Sequence, residues 1–328
     1  MLTIITDAAE QAKQIVRNSS KVPAAVSIDA TDDVEVNIQE QLIHRLRIKS
    51  KASLIPFQLR KLGKNANVSR QIRHIHQADT WDCGLACVQM VMYWLDHKSK
   101  ATKSPDNQEK HRKWMMDFVK TKSLWTIDLV ILLQHMLQEA SSSSTYVFCS
   151  NNFGVDESYN KLHYYRDAFS ADEVRVRKLF NIAENQNLPL MQVHHMSLNV
   201  LISLVSRENV VAIVLVDNHI FTPRDKNQSS PSHNAETAID ITNNETDDSS
   251  YSGHYVVLIG ISTDKNDVQM SKIMNSQTED DTELYNYCLV VKNPDVYKEI
   301  QFVTPTLFEK SWRAKGTDED VILIAKHH

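Results

Sequence analysis

The hydrophobic pattern of this 328-residue chain changes its period near residue 208. Upstream, apolar residues recur at the three- and four-residue spacings of helices, whereas downstream they form short β-branched runs that are typical of strands. The predicted helices cover 83–95, 126–137, 170–182 and 198–207, and the predicted strands cover 209–217, 255–262, 286–292 and 321–325. Helices that precede strands predict an α+β fold, in which a helical N-terminal half packs on a mostly antiparallel C-terminal sheet.

Polar and poorly patterned segments indicate the limits of the folded region. Residues 1–70 show no sustained period apart from a short helix predicted over Asp7–Val16, so we expect an N-terminal extension followed by one domain over 71–328. Two stretches rich in Ser, Asn, Asp and Thr interrupt that domain, at 223–252 and 263–283. Segments with so few apolar residues bury little surface, so we expect polar insertions that form irregular surface loops.

The composition excludes several classes of protein. A hydrophobic content of 42% and a charged content of 23% are typical of a globular protein, and the net charge of −5 argues against a nucleic-acid partner. The chain has no apolar run of about 18 residues, the length that a membrane-spanning helix needs. Its first residues also lack the basic start of a signal peptide. We therefore expect a protein of the cytoplasm, with the nucleus as a further compartment, and the sequence leaves its oligomeric state open.

The four cysteines do not form a recognisable framework. Cys83, Cys87, Cys149 and Cys288 are too few and too scattered for a disulfide-stabilised chain of this length. Three residues separate Cys83 from Cys87, but no second pair of cysteine or histidine residues follows at the spacing of zinc ligands. We expect no metal site and no cofactor.

The segment that begins at Gln77 and continues through Cys83 carries the strongest chemical signal. Cys83 lies at the start of a predicted helix, where unpaired N–H groups and the helix dipole favour a thiolate. Gln77, six positions earlier, has a side-chain amide that can donate a hydrogen bond beside the Cys83 N–H. Two such donors form an oxyanion hole.

A nucleophilic cysteine also needs a base and a group that orients the base. His254 begins a predicted strand, and Asn293 precedes a proline at the end of another; Asp295 is an alternative orienting group. Taken singly, each residue is more often structural than catalytic, because the chain has 14 histidines and Asn-Pro is usually a turn. The ordered combination of Gln, Cys, His and Asn is what indicates a thiol site.

The motifs resemble two related groups of proteins. Gln-x5-Cys-Gly-x-Ala, His-Tyr-Val-Val-Leu and a strand that ends in Asn-Pro resemble the papain-like bacteriocin-leader-processing cysteine peptidases. From Gln71 to Ile324 the chain also resembles the eukaryotic guanylyl cyclase domain-containing proteins, which are labelled guanylyl cyclases in plants. Further matching segments begin at Ser123 (SLWTIDL), Asn152 (NFGV), Val214 (VLVDN), Gly253 (GHYVVL), Val291 (VKNP) and Gly316 (GTDEDVILI).

The resemblance implies a papain-like fold and a role for each motif residue. By position, Gln77 matches the oxyanion donor, Cys83 the nucleophile and His254 the base. Asn293 occupies the orienting position, where the leader-processing peptidases usually carry aspartate, and an amide oxygen can still accept the imidazole N–H. A thiolate–imidazolium pair of this kind is expected to lower the pKa of the cysteine.

Three functions follow as alternatives. The first is a cysteine hydrolase that acts on a peptide or isopeptide-type bond of a peptide or protein substrate. The second is the activity that the family name implies, conversion of GTP to cyclic GMP, although the chain lacks a Gly-x4-Gly-Lys-Ser/Thr phosphate loop. The third is an interaction module that keeps the fold without catalysis, with the insertion before His254 covering the cleft or binding a partner.

Other matched residues have structural interpretations at this stage. Trp125 and Leu129 are expected in the core, and Asp128 is expected to be an exposed carboxylate in the first turn of a helix. The run Gly316–Asp320 precedes the last predicted strand and is interpreted as a turn, with Asp318 and Asp320 as residues that could face the cleft.

Overall fold

The computed structural model describes residues 32–48, 72–96, 105–140, 142–155, 169–222, 251–274 and 285–327. By its contacts the chain divides into two units, Met1–Asn37 and Ile38–His328. In the first unit the described residues are 32–37, which form the first turns of a helix. The helix predicted over Asp7–Val16 and most of the polar insertion 223–252 lie outside the described residues. Everything that follows concerns the second unit.

In the described parts of the chain, four helices precede the first strand, and helices and strands then alternate except for two consecutive strands near the C-terminus. The helices are α1 (Asp32–Arg45), α2 (Cys83–Leu95), α3 (Pro105–Val119), α4 (Thr126–Glu139), α5 (Phe169–Asn185), α6 (Leu198–Val205), α7 (Asn218–Phe221), α8 (Lys265–Met274) and α9 (Pro305–Trp312). The strands are β1 (Thr145–Ser150), β2 (Leu190–Gln192), β3 (Val210–Asp217), β4 (Gly253–Ser262), β5 (Cys288–Lys292), β6 (Gln301–Val303) and β7 (Val321–Ala325). None of the described helices is both long enough and apolar enough to cross a membrane.

One sheet holds the seven described strands, in the order β2-β1-β7-β3-β4-β5-β6. Its pairs are antiparallel except β1 with β2, which is parallel. The central strand β3 is buried along its whole length, as its β-branched sequence Val-Val-Ala-Ile-Val-Leu-Val-Asp predicts. The α+β prediction and the mostly antiparallel sheet are confirmed.

The sheet separates two hydrophobic cores, because successive side chains of a strand point to opposite faces. On β4, Tyr255 and Val257 belong to the core that contains α2 and α4. Val256 and Leu258 belong to the other core, which contains α6 and α9. Strand β4 therefore contributes to both sides of the protein, and it also carries His254 at its beginning.

Helix α2 is held close to the sheet by its second residue. The 12 residues of the helix from Cys83 to Trp94 are all buried, so other parts of the protein cover the helix on every side. A Cβ atom on Gly84 would lie 2.9 Å from Leu129 Cδ1 and 3.1 Å from Tyr255 Cδ2. Glycine at this position therefore permits the close approach of α2 to α4 and β4.

Several elements were not predicted from the sequence. Strands β2 and β6 have only three residues each, too few to show a period. Helix α8 forms inside 263–283, which was expected to be irregular; its sequence is polar, and Ser262 and Asp264 hold its first turn through hydrogen bonds to Asp267 and Asn266. The second polar insertion is thus helical in part.

Helix α1 lies within the range that was assigned to an unpatterned extension. Its residue Leu42 and the following Leu46 are fully buried in the second core. Gln39 donates a hydrogen bond to Ser203 Oγ at 2.7 Å, and Thr145 Oγ1 donates one to Leu46 O at 2.8 Å. The compact unit therefore begins upstream of the boundary expected near residue 71.

Replacing Leu42 with alanine tests whether α1 is part of the folded unit. We expect Leu42→Ala to lower the free energy of unfolding by about 2–5 kcal/mol, the usual cost of a cavity at a fully buried leucine. Urea denaturation measures it, with Glu40→Ala, an exposed change in the same helix, as the control. Equal stability of the two variants would contradict the packing of α1 into the core.

Candidate active site

His254 and Asn293 form the best-defined pair of the candidate site. His254 Nε2 lies 2.8 Å from Asn293 Oδ1, and both side chains are buried. Asn293 Oδ1 also accepts the Asp295 N–H at 3.0 Å, while Asn293 Nδ2 donates to Gln301 Oε1 at 3.0 Å. These bonds fix the orientation of the amide, so His254 donates its Nε2–H. The other ring nitrogen, Nδ1, is then the basic one.

Of the two orienting residues that the sequence offered, Asn293 is the one that bonds to His254. Asp295 supplies its backbone N–H to the amide, and its charge acts on the histidine from a distance. Burial lowers the pKa of His254, while the hydrogen bond to Asn293 and the charge of Asp295 work in the opposite direction. Burial dominates, so His254 is a neutral imidazole near pH 7.

Cys83 begins helix α2, as predicted, and it is buried. The backbone N–H groups of Tyr255 and Gly84 face its sulfur and lower its pKa, but burial and the charges of Asp82 and Asp295 act more strongly. The net effect raises the pKa of the Cys83 thiol to about 11. The expectation of a lowered cysteine pKa was therefore wrong for this state, because desolvation penalises the thiolate more than the helix terminus favours it.

Cys83 contacts the backbone of Tyr255, the residue that follows His254 on β4. Residues alternate along a strand, so the side chains of His254 and Tyr255 leave β4 on opposite faces, and the Cys83 sulfur contacts the N–H that lies between them. Within the described part of the chain, no hydrogen bond joins Cys83 Sγ to His254. The structure thus brings the thiol to the strand of the histidine without forming the bonded pair.

Gln77 is buried in the segment that precedes α2. Its backbone N–H donates to Pro294 O at 2.9 Å, directly after Asn293, and its side-chain Oε1 is buried without a hydrogen-bond partner. The structure therefore brings Gln77 to the loop of the orienting asparagine. No hydrogen bond joins its side-chain Oε1 to Cys83.

Two charged residues, Asp82 and Arg112, hold the turn before Cys83. Asp82 occupies the N-cap position of α2, yet its carboxylate does not cap the helix. Instead it accepts the Asp79 N–H at 3.0 Å and the Arg112 Nε–H at 2.6 Å, and Arg112 also pairs with Asp79. The first turn of α2 therefore has no side-chain cap, and one of its N–H groups, that of Gly84, faces the Cys83 sulfur.

A narrow cavity adjoins the cysteine. It is lined by Cys83, by Gly253 and Tyr255 on either side of His254, and by Asp318 and Asp320. Its free volume is about 20 Å³, which is enough for about one water molecule. The interpretation of Asp318 and Asp320 as residues that could face the cleft agrees with this lining.

Asp128 differs from its expected position. It is buried rather than exposed, accepts the Trp125 N–H at 2.9 Å and forms an ion pair with Arg175. Arg175 Nη2 also pairs with Asp172 at 2.9 Å and donates to Ser123 O at 2.8 Å. The carboxylate therefore fixes the start of α4 through a buried network instead of acting on the helix dipole from solvent.

The histidines near the cysteine bond to the backbone. His74 Nε2 lies 2.8 Å from Val296 O, and His76 Nδ1 lies 2.6 Å from Gln77 O while its ring stacks on Tyr297 at 4.2 Å. Among the residues that the structure describes, no group of three or more His, Cys, Asp or Glu side chains is arranged to hold a metal ion.

The α+β fold carries a cysteine, a histidine and an asparagine in this order along the chain. The model of the family described as Guanylylate cyclase matches residues 72–324, and the chain belongs to this family. The chain is similar to Guanylyl cyclase 1 of Arabidopsis thaliana, with 25% identity over 265 residues that cover 81% of this chain and 79% of the Arabidopsis protein. No solved structure matches the chain. The resemblance to guanylyl cyclase domain-containing proteins is confirmed, and the papain-like fold stays a prediction.

The pH dependence of Cys83 alkylation tests the raised thiol pKa. In the folded protein we expect iodoacetamide to modify Cys83 with an apparent pKa near 11, above the roughly 8.5 of a free cysteine. The raised pKa means that thiolate is scarce at neutral pH and accumulates only in alkali. Peptide mass spectrometry measures the rate at each pH, and the same protein in urea is the control, where the ordinary pKa should return. An apparent pKa below that of the urea control would contradict this environment.

Removal of the Asn293 amide tests its structural role. We expect Asn293→Ala to lower the free energy of unfolding by about 1–3 kcal/mol or more, because His254 Nε2–H, Gln301 Oε1 and the Asp295 N–H all lose a buried partner. Thermal and urea denaturation measure the change. Asn185→Ala, at an exposed position in α5, is the matched control, and a similar loss in both variants would contradict the assignment.

Proposed function

We propose that the protein is a cysteine hydrolase with a papain-like arrangement of Cys83, His254 and Asn293, acting on a peptide or isopeptide-type bond. The observation that carries the proposal is the 2.8 Å contact between His254 Nε2 and Asn293 Oδ1. It leaves Nδ1 of the same ring as the proton acceptor, on the strand whose next N–H contacts the Cys83 sulfur. A buried asparagine that accepts the imidazole N–H is the orienting device of thiol hydrolases.

The proposed reaction uses each of these groups once. As the Cys83 sulfur attacks the carbonyl carbon, its proton passes to His254 Nδ1, and the carbonyl oxygen becomes an oxyanion. The Cys83 N–H and the Gln77 amide stabilise that oxyanion. The C–N bond then breaks, His254 gives its proton to the departing amine, and a thioester remains on Cys83. Water, activated by His254, hydrolyses the thioester and regenerates the thiol.

The raised pKa of Cys83 favours a mechanism that does not need a preformed thiolate. Because thiol and imidazole are both neutral before substrate binds, the proton is transferred during attack rather than beforehand. Catalytic hydrogen bonds are often completed only when substrate binds, so the proposed reaction requires that Cys83 and His254 form their hydrogen bond in the substrate complex. The cavity must also widen to admit a scissile bond, and such opening is common in enzymes.

A second candidate is the formation of cyclic GMP from GTP. It is favoured by the names of the matching family and of the similar Arabidopsis protein. Such a reaction requires groups that bind the triphosphate and stabilise the charge that develops on it. Cys83 has no part in that chemistry. Cys83→Ala therefore distinguishes the two candidates, because it should abolish the hydrolase and leave the formation of cyclic GMP unchanged.

Labelling with an electrophilic substrate mimic tests the hydrolase. We expect a mixture of dipeptide vinyl sulfones to modify wild-type protein at Cys83, and Cys83→Ala to abolish the modification. His254→Ala should slow it by about 100-fold or more, the usual contribution of a general base. Cys87→Ser, one turn further along α2, is the matched control and should label like wild type. Intact-protein mass spectrometry follows the reaction.

Two outcomes would overturn the proposal. One is an absence of labelling in protein shown to be folded, and the other is labelling that survives Cys83→Ala. A parallel assay of cyclic GMP formation by the same preparations addresses the second candidate. Cyclic GMP production that is equal in wild type and Cys83→Ala would favour the cyclase over the hydrolase.

A further inference from the structure

The turn Gly316–Asp320 forms an acidic wall beside the proposed nucleophile. It connects α9 to β7, and both Asp318 and Asp320 line the cavity that also contains Cys83. No described residue lining this cavity is a lysine, arginine or histidine. The proposed hydrolase mechanism does not use either carboxyl group.

The turn is held in a backbone conformation that non-glycine residues rarely adopt. Gly316, Asp318 and Glu319 have φ angles of 101°, 49° and 52°. For Asp318 and Glu319, the left-handed region costs energy that the surroundings must offset. Thr317 supplies part of that support, because its Oγ1 donates to Ala314 O at 2.9 Å and accepts the Glu319 N–H at 3.3 Å.

Contacts from other elements complete this support. Glu319 pairs with His195 at 2.8 Å and with Arg313 at 3.4 Å, which turns its carboxylate away from the two aspartates. Asp318 O accepts the Asn151 N–H at 2.8 Å, and Asp320 O accepts the Leu215 N–H at 3.1 Å. These contacts hold the backbone of Asp318 and Asp320 in one position.

The carboxyl group of Asp320 lacks a full set of partners. The residue is 9% exposed, and its Oδ1 atom is buried without a hydrogen bond. Burial and the charge of Asp318 raise its pKa well above the ordinary value, while the hydroxyls of Ser150 and Thr126 act in the opposite direction. A buried oxygen without a partner costs free energy, which a donor brought by a ligand would recover.

The remaining walls suit a small cation. Trp81 and Trp125 line the same cavity, and Lys122 Nζ lies 5.8 Å from the centroid of the Trp81 ring, as expected for an aromatic ring that attracts a cation. An ammonium group is a compact charge with three rotatable donors, whereas a guanidinium is a larger, planar fork. A single buried oxygen without a partner therefore suits an ammonium group.

We propose that this cavity binds a primary ammonium group of the substrate through Asp320, next to the bond that Cys83 attacks. The inference rests on the proposed hydrolase function and assigns a substrate class to that site. The ammonium has two possible sources, the α-amino terminus of a peptide and the side chain of lysine. Asp320 recognises the shared chemistry of both, and Asp318 adds a second negative charge.

Matched electrophiles test the proposal. Dipeptide vinyl sulfones with a free amino terminus are compared with the same probes acetylated at the α-amino group. Probes with a blocked α-amino group and a free lysine side chain are compared with probes in which norleucine replaces the lysine. We expect an ammonium group from one source to accelerate Cys83 labelling by about tenfold or more, as expected for a hydrogen bond to a charged group. Asp320→Asn should abolish this preference, measured as the ratio of the labelling rates of the charged and neutral probes. The arm that shows the preference identifies the source.

Controls separate the possible outcomes. Asp106→Asn removes one charge at an exposed site on α3 and should keep the preference. Thermal melting verifies that Asp320→Asn folds, and Asp318→Asn, expected to weaken the preference, provides a second variant. Equal labelling by charged and neutral probes overturns the inference alone. Labelling by no probe overturns the proposed function and this inference with it.

Discussion

Three hydrogen bonds converge on the buried amide of Asn293, and the chemistry of the site depends on them. The bonds with Asp295 and Gln301 decide which way the amide faces. Its orientation decides that His254 holds its proton on Nε2, and this leaves Nδ1 as the base. A buried side chain with every partner satisfied also resists rotation, so the imidazole is held in one tautomer and one direction before any substrate arrives.

Burial stabilises this arrangement and also suppresses the reactivity of its thiol. The same close packing of α2 that depends on Gly84 removes the Cys83 sulfur from solvent, and desolvation raises its pKa to about 11. A cysteine at a helix start is usually expected to be reactive, because the dipole favours thiolate. Here the dipole is the smaller effect. Reactivity then has to come with a change in the surroundings of the sulfur, which a bound substrate or an opened cavity would supply.

The sequence predicted the parts of this site that depend on local pattern. The start of α2 at Cys83 and the strand that carries His254 follow from the spacing of apolar residues, and both are confirmed. Local pattern does not report distant partners, which is why Asp128 was expected in solvent although it is paired with Arg175, 47 positions away. The thiol pKa was mispredicted for the same reason, since desolvation is set by packing that no local motif encodes.

The carboxyl groups around Cys83 determine which substrate the acidic cavity would favour. Asp82 and Asp295 both raise the pKa of Cys83, and Asp320 with Asp318 lines the cavity beside it. In such a field a thiolate is costly, and adding a positive charge next to it lowers that cost. A substrate that carries an ammonium group would therefore stabilise the carboxylate and the thiolate together. The carboxyl groups that make the thiolate costly would then select the substrate that stabilises it.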